Sequence, residues 1–466
     1  MSTENNIGSS NDIVLFVVQE TAKGQLTFPT ADDMVVAAGD DANISQSAEF
    51  SDSMEIFSTL DILDQFPNAT QPGEFSVPMY LRLDTTGKKI QGSALLENSF
   101  GGVTARNTAE ITLGAGASIP ADGEALNVAF TCDADIPARF GLMTLNGEQM
   151  MYDSITWTNT RVRRGGTMTI KEAGRGLNGT TESAAAAGDK AILNSTFFFQ
   201  KKGDVKTLSL WMVRDHVVIG MSGCMVTENS VNVSNEGAVT FSISGNGMRL
   251  HWCGTMDATG ANTGTTIPID DPAKVSKWVR VYNATSGINN SGEGYTVTDV
   301  NETAKTITLD VEMAVANGDV IKGFLPDASA PIGAPVQAKY TRFFVEDTEA
   351  RIRSTDVSFS TPRPFFTDEV GTEFPEDFGY EKRSTSFTMN IYFRKDDAGW
   401  IQKGMSQNYF SSHISFGTKQ EGIILLPKCS SGSPTISGDG PVMSMSTEVT
   451  AIGTAGEDSA AIVINM

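Results

Sequence analysis

FSVPMYLRLDTTGKKIQG, Phe75 to Gly92, occurs a second time in this chain as FTMNIYFRKDDAGWIQKG, Phe387 to Gly404. The two stretches align without gaps at a spacing of 312 residues, which sets Phe75, Tyr80, Arg82, Asp84, Gly87 and Gly92 on Phe387, Tyr392, Arg394, Asp396, Gly399 and Gly404. The flanks repeat in the same order. Ala48, Phe50, Ser51 and Phe57 fall on Val357, Phe359, Ser360 and Phe366 at spacing 309. Ile219 and Cys224 fall on Ile424 and Cys429 at spacing 205, and Gly237 falls on Gly440. Ordered self-similarity over such a distance reads as a duplicated unit. Ala48, Phe50, Met54 and Ile56 alternate with polar residues, and Phe75, Val77, Met79 and Leu81 do the same. Period two belongs to a strand with one buried face, so 45–57 and 75–83 are expected to pair.

A chain of 466 residues has room for two to four domains, each able to bury a core. Its 45 glycines and few long helical patterns point to strands and turns. Acidic residues outnumber basic ones by 56 to 34, a net charge of −22. That balance argues against a general nucleic-acid binder, which needs a clustered cationic face; it suits solubility or a functional acidic surface. Cys132, Cys224, Cys253 and Cys429 form no CxxC pair, which argues against zinc. MSTENNIGSSND lacks the basic start and apolar stretch of a signal peptide, and no apolar run reaches the roughly 18 residues of a membrane span. The expectation is a reduced, cytoplasmically made protein.

Along the chain, residues 1–12 read as a polar arm, and IVLFVV, Ile13 to Val18, as a strand buried on both faces. The connections Ser58 to Glu74 and Thr367 to Ser386 are longer than hairpins require, and long loops of this kind are usually functional or disordered. The first holds Asp61, Asp64 and Phe66; the second holds Asp368, Glu369, Phe374, Glu376 and Asp377. Their aromatic residues favour a contact role. Asp84 to Phe100 and Asp396 to Phe410 each read as a short helix, with Ile401, Met405 and Tyr409 as an apolar stripe expected to pack on a sheet. Val231 and Val233, then Val239, Phe241 and Ile243, flank a turn at Ser234–Gly237, and the partner hairpin turns at Gly438–Gly440. Ala460 to Ile464 reads as a last strand. Two further stretches carry short alternating strands. In them Thr167–Ile170 with Gly188-Asp189 resembles Thr306–Leu309 with Gly318-Asp319. The division expected is a discontinuous first copy (1–115 and 195–256), two small β-barrel-like modules (116–194 and 257–330) and a second copy (331–466).

Nothing catalytic stands out. His216, His251 and His413 sit at no zinc-binding or catalytic spacing. Gly220-Met221-Ser222-Gly223 is misspaced for a nucleophile elbow, and Gly174 to Gly179 is followed by no helix that could present amides to phosphate. Asp133 and Asp135 lack the glycine and later glutamate of a calcium loop. No cofactor and no metal are expected. One cluster opposes the overall charge: Arg161, Arg163, Arg164, Lys171 and Arg175 in the first module. It is either a solvated face or a patch that meets acidic loops of a neighbouring copy.

With the repeat, the SGCMVTENSVNVSNEGAVTFSISGNG stretch (Ser222 to Gly247) and RGLNGTTESAAAAGD (Arg175 to Asp189) in view, the chain resembles the tail tube proteins of long, non-contractile-tailed bacteriophages, in the variety with two tube domains fused. The resemblance implies a mainly β protein of two tandem antiparallel β-sandwich tube domains, each with a short flanking helix. It implies trimeric, pseudo-hexameric rings stacked into a tube in a virion tail assembled in the host cytoplasm, with a negative lumen that DNA transits without specific binding. Partners would be the chain itself and other tail proteins (tape measure, terminator, distal tail), with no membrane. The loops 58–74 and 367–386 would dock on the adjacent ring with Phe66 and Phe374 as anchors, and the modules would sit on the outer wall. The competing readings are a baseplate or fibre component, an all-β adhesin or carbohydrate-binding protein, and an acidic hydrolase.

Overall fold

The computed structural model describes residues 13–39, 41–52, 64–68, 70–84, 89–104, 110–121, 126–132, 140–159, 164–170, 174–177, 180–199, 205–214, 217–234, 237–328, 331–345, 348–393, 399–406, 408–417, 422–439, 442–453 and 459–464. Strand pairing dominates them, and every pairing between named strands is antiparallel. One layer runs Asn43–Ser45, Gly73–Tyr80, Thr240–Gly247, Val217–Ser234, Ile352–Ser360, Ser384–Tyr392, Val442–Ala451 and Thr435–Asp439. It therefore draws four strands from residues 43–247 and four from residues 352–451. The opposing layer includes Ile13–Gln19, Leu208–Arg214, Phe410–Phe416, Gly422–Ser431, Ala461–Ile464 and Ser195–Phe199. One apolar cluster fills the space between, reaching from Leu15 through Phe241, Phe359 and Phe387 to Ile464.

The two layers are tied together because Val217–Ser234 serves both. Its first part pairs with Leu208–Arg214 and its last part with Thr240–Gly247. The change of partner falls at Gly223, whose φ of +67° suits glycine and where a Cβ would meet Met248 at 2.4 Å. A bulge at the same place sets Leu208 opposite Cys224 and then Leu210 opposite Met221. Gly422–Ser431 is built alike: Phe410 lies opposite Cys429, then Ser412 opposite Leu426. Both thiols donate to the carbonyl three residues back, Cys224 to Met221 at 3.3 Å and Cys429 to Leu426 at 3.6 Å.

Two further units pack against this body. Strands between Glu110 and Leu193 close into a six-stranded barrel with its own core. Strands between Met256 and Gly323 form a six-stranded sheet whose core merges with Phe16, Trp211 and Val218. Their Gly-Asp turns match. Asp189 accepts from the Ala186 amide and Asn146, as Asp319 does from the Ala316 amide and Asn283.

Three expectations need correction. The strand expected at 45–57 does not pair with 75–83 along its length: Asn43–Ser45 pairs with Gly73–Tyr80, setting Ile44 opposite Phe75, while Phe50–Asp52 turns away to pair with Gln65–Pro67. α1 is shorter than expected, Ser93–Phe100, because Leu83–Asp84 pairs with Lys89–Ile90 and Gly92 caps the helix with φ +69°; α2 is Gly399–Ser406, and Asp396, its expected start, lies outside the described residues. The stripe of α2 is not packed away. Ile401, Met405 and Tyr409 are all exposed, Met405 at 78%, whereas Leu95, Leu96 and Phe100 of α1 are buried.

Candidate functional site

The seam between the halves is a strand-to-strand junction. Glu228–Ser234 lies antiparallel to Ser354–Ser360 over seven residue pairs, with Val231 opposite Val357 and Asn229 opposite Phe359. The pattern behind it is plain alternation: Val231, Val233, Val357 and Phe359 all point into the core and are buried. On the opposing layer Ser195–Phe198 pairs with Ala461–Ile464, so both layers run across the seam. Phe100 of α1 packs on Phe199 and Phe359, with ring centroids 4.8 and 5.1 Å apart.

Beyond Ser360 the chain crosses α1. Thr361 extends the ladder to the Thr227 carbonyl, and Arg363 then reaches the end of the helix. Its guanidinium donates to the Asn98 side-chain oxygen at 2.8 Å, the Asn98 carbonyl at 2.6 Å and the Ser99 carbonyl at 3.5 Å. A cation suits these carbonyls, which lack helical partners and carry the negative end of the helix dipole. Burial still dominates, pulling the Arg363 guanidinium down to about 10. Asn98 completes the joint by accepting from the Val226 amide and donating to the Lys206 carbonyl.

The acidic-aromatic loop that follows lies on the first half of the same chain. Phe374 sits under Arg249 at 4.5 Å, Asp377 pairs with Lys23 at 2.8 Å, and the Glu373 carbonyl accepts from the Thr70 amide. Asp368, Glu369 and Glu376 remain exposed, beside Val370. In the first loop Asp64 and Phe66 are exposed, with Phe66 on the 65–67 strand; Asp61 lies outside the described residues. Of the basic cluster, Arg164 is exposed while Arg161, Arg163 and Lys171 lie outside the described residues. Arg175 does not belong to any solvated face. It is buried and forks onto Glu148, Nε to Oε1 at 2.6 Å and Nη2 to Oε2 at 3.0 Å, and with the Gly176 amide donating to the same carboxylate it ties Arg175 and Gly176 to the barrel. Those bonds keep the Glu148 carboxyl below its ordinary value against the opposing effect of burial.

The ends of the shared layer differ from its middle. Among the described residues Thr435–Asp439 pairs only with Val442–Ala451, and Asn43–Ser45 only with Gly73–Tyr80. Ile436 and Met443 on the first of these edge pairs are exposed, as are Tyr392 on the next strand in and Ile401, Met405 and Tyr409 on and just after α2, which packs beside Gly432. Gly404 sets α2 directly on the adjoining backbone, since a Cβ there would fall 2.5 Å from the Gly432 carbonyl oxygen.

Two clefts of 580 and 500 Å3 flank the 256–323 module. The smaller contains His251, which is 3.3 Å from the Ser222 hydroxyl, but its other nitrogen meets the Lys277 carbonyl rather than a carboxylate. Burial drops its imidazole to about 4, so it is a neutral hydrogen-bonded strut. Sequence reasoning missed Arg363 and the exposed α2 patch. An arginine between two prolines carries no sign of its partner, and a helical apolar stripe looks the same whether a sheet or another molecule covers it. No protein-family model matches this chain, and no curated protein matches it.

Proposed function

We propose that this protein is a self-assembling structural subunit: two fused copies of one β-sandwich tube domain, closing as trimeric, pseudo-hexameric rings that stack into a phage-type tail tube around an acidic channel for DNA. One observation carries the reading. The positions that the internal seam buries in the first half have counterparts in the second half that lie bare. Val231 and Val239 are fully buried, while Ile436 and Met443, at offsets of 205 and 204 residues, are 38% and 51% exposed. What buries the first pair is Ile352–Ser360 and Val336, whose carbonyl accepts from the Val239 amide. The segment equivalent to Ile352–Ser360 in the first half is Asn43–Ser45 and its surroundings, which sits at the far edge and cannot return to its own chain. A second copy supplies it. Such a head-to-tail contact repeats until a ring closes, and closure removes the open edges that otherwise invite aggregation.

The matching thiol bulges support the fused-domain reading, and the net charge of −22 suits a lumen from which DNA is repelled. Negative-stain microscopy of the purified protein tests the proposal. Uniform hollow cylinders are expected. Isolated closed rings that never stack would redirect the assignment to a baseplate-type component, and a strict monomer at high concentration would overturn it.

A further inference from the structure

The internal seam also fixes where a second copy touches, and resting on the assembly reading above, we infer that Phe50 of one copy seats against Met405 of the next, with Ile44 set opposite Ile436. The register follows from residues already paired. Val357 lies opposite Phe387 and Ile44 opposite Phe75, so Ile44 stands where Val357 does. Cys224 and Cys429 share one bulge, so Ile436 stands where Val231 does. Since Val231 faces Val357 within the chain, Ile436 faces Ile44 between chains.

Beyond Ser45 the first copy leaves the ladder for its hairpin with Gln65–Pro67, and the residue count gives the nearest equivalence for the crossing segment. Arg363, six residues past Val357, rests on the last turn of α1; Phe50 is six residues past Ile44. The gap-free repeat that sets Gly92 on Gly404 ends before the helices, because Gly92 caps α1 while Gly404 lies inside α2; matching the two eight-residue helices end to end instead sets Asn98 on Gly404 and Ser99 on Met405. An independent contact agrees with that setting. Asn98 accepts from the Val226 amide, while Gly404 abuts the Gly432 carbonyl, the counterpart of the residue after Val226. The two seams differ in chemistry at these positions. Where the inner seam matches a guanidinium to helix carbonyls, the outer one offers a phenyl ring 60% exposed and a thioether side chain 78% exposed. Met packs well on aromatic rings. Phe50 lies on a two-stranded hairpin with Phe66, itself 53% exposed, so the arm brings a second ring toward Ile401 and Tyr409.

The test uses the full chain with F50C and M405C combined, since all four native cysteines are buried. A short bifunctional maleimide should give a ladder of covalent dimers and trimers from the double variant, and only monomer from F50C or M405C alone. M405E should fold as the parent does and raise the concentration for half-assembly by roughly tenfold or more, because it buries an unpaired charge. Rings that form without crosslinking, or an M405E variant that assembles normally, would overturn the Phe50–Met405 contact and leave the assembly reading intact. A double variant and parent that both stay monomeric would overturn both.

Discussion

Arg363 is a buried cation facing carbonyl oxygens rather than a carboxylate, so its contribution is a contest between two effects. Removing it from water is costly, as its lowered basicity records. Against this stand the charge-assisted bonds to Asn98 and Ser99, and the fact that these helix-end carbonyls would otherwise be dry. The second effect wins when the side chain is truncated, since the carbonyls remain buried after the cation is gone. Arg363→Ala should destabilise the chain by about 2 kcal/mol, seen as a lower urea midpoint with an unchanged slope. Arg363→Lys should recover less than half of that, because a point ammonium cannot span two carbonyls as a planar fork does. A variant as stable as the parent would remove Arg363 as the fastening of the seam. Nothing near Arg363 in the sequence announces this role. Arg175 misled in the opposite direction: its neighbours suggest a basic surface, whereas its partner Glu148, 27 residues earlier, draws it inside.

Alternation and spacing made the strands legible but left their register open. Ile44 and Ala48 differ by an even number of residues, and an even slip keeps every apolar residue on its own face. Hydrophobic pattern alone therefore cannot choose between them, and the choice came from the hairpin at Phe50–Asp52, which removes the later residues from the ladder. Cys224 and Cys429 were visible in the sequence only as two cysteines 205 residues apart; the strand bulge and the thiol bond at each are features of the fold. The helices were legible as elements while the start of α1 was not, since the pairing of Leu83–Asp84 with Lys89–Ile90 occupies the stretch before it. Gly404 reads as a flaw in a helix and is a contact requirement instead. An exposed Gly→Ala change inside a helix normally gains about 1 kcal/mol. Here the new methyl would overlap backbone, the Gly432 carbonyl, which cannot rotate aside, at a cost of about 1–3 kcal/mol. Gly404→Ala should therefore lower stability, and by shifting α2 weaken assembly as well. A rise in the thermal midpoint would show that α2 can lift without loss.

At the scale of the whole molecule, two electrostatic pictures of assembly make opposite forecasts. In one, cationic residues of the 110–193 barrel meet acidic loops of a neighbour, and added salt should loosen the contact. In the other, apolar strand edges and the α2 patch join chains that each carry −22, and salt should help by screening their repulsion. Contacts inside the chain favour the second. Arg175 is already committed to Glu148 and Asp377 to Lys23, so charges the first picture needs are occupied before any neighbour arrives. The exposed residues around the Thr435–Asp439 edge are Ile, Met and Tyr, which gain from leaving water at any ionic strength. Screening lengths shrink from about 20 Å at 20 mM salt to about 8 Å at 150 mM, a range comparable with the spacing of surface charges on adjoining copies. The concentration at half-assembly, followed by light scattering or sedimentation, should thus fall as sodium chloride rises across that range. An increase instead would return the barrel's arginines and the acidic loops to the centre of the contact, and would move the strand edges to a secondary place.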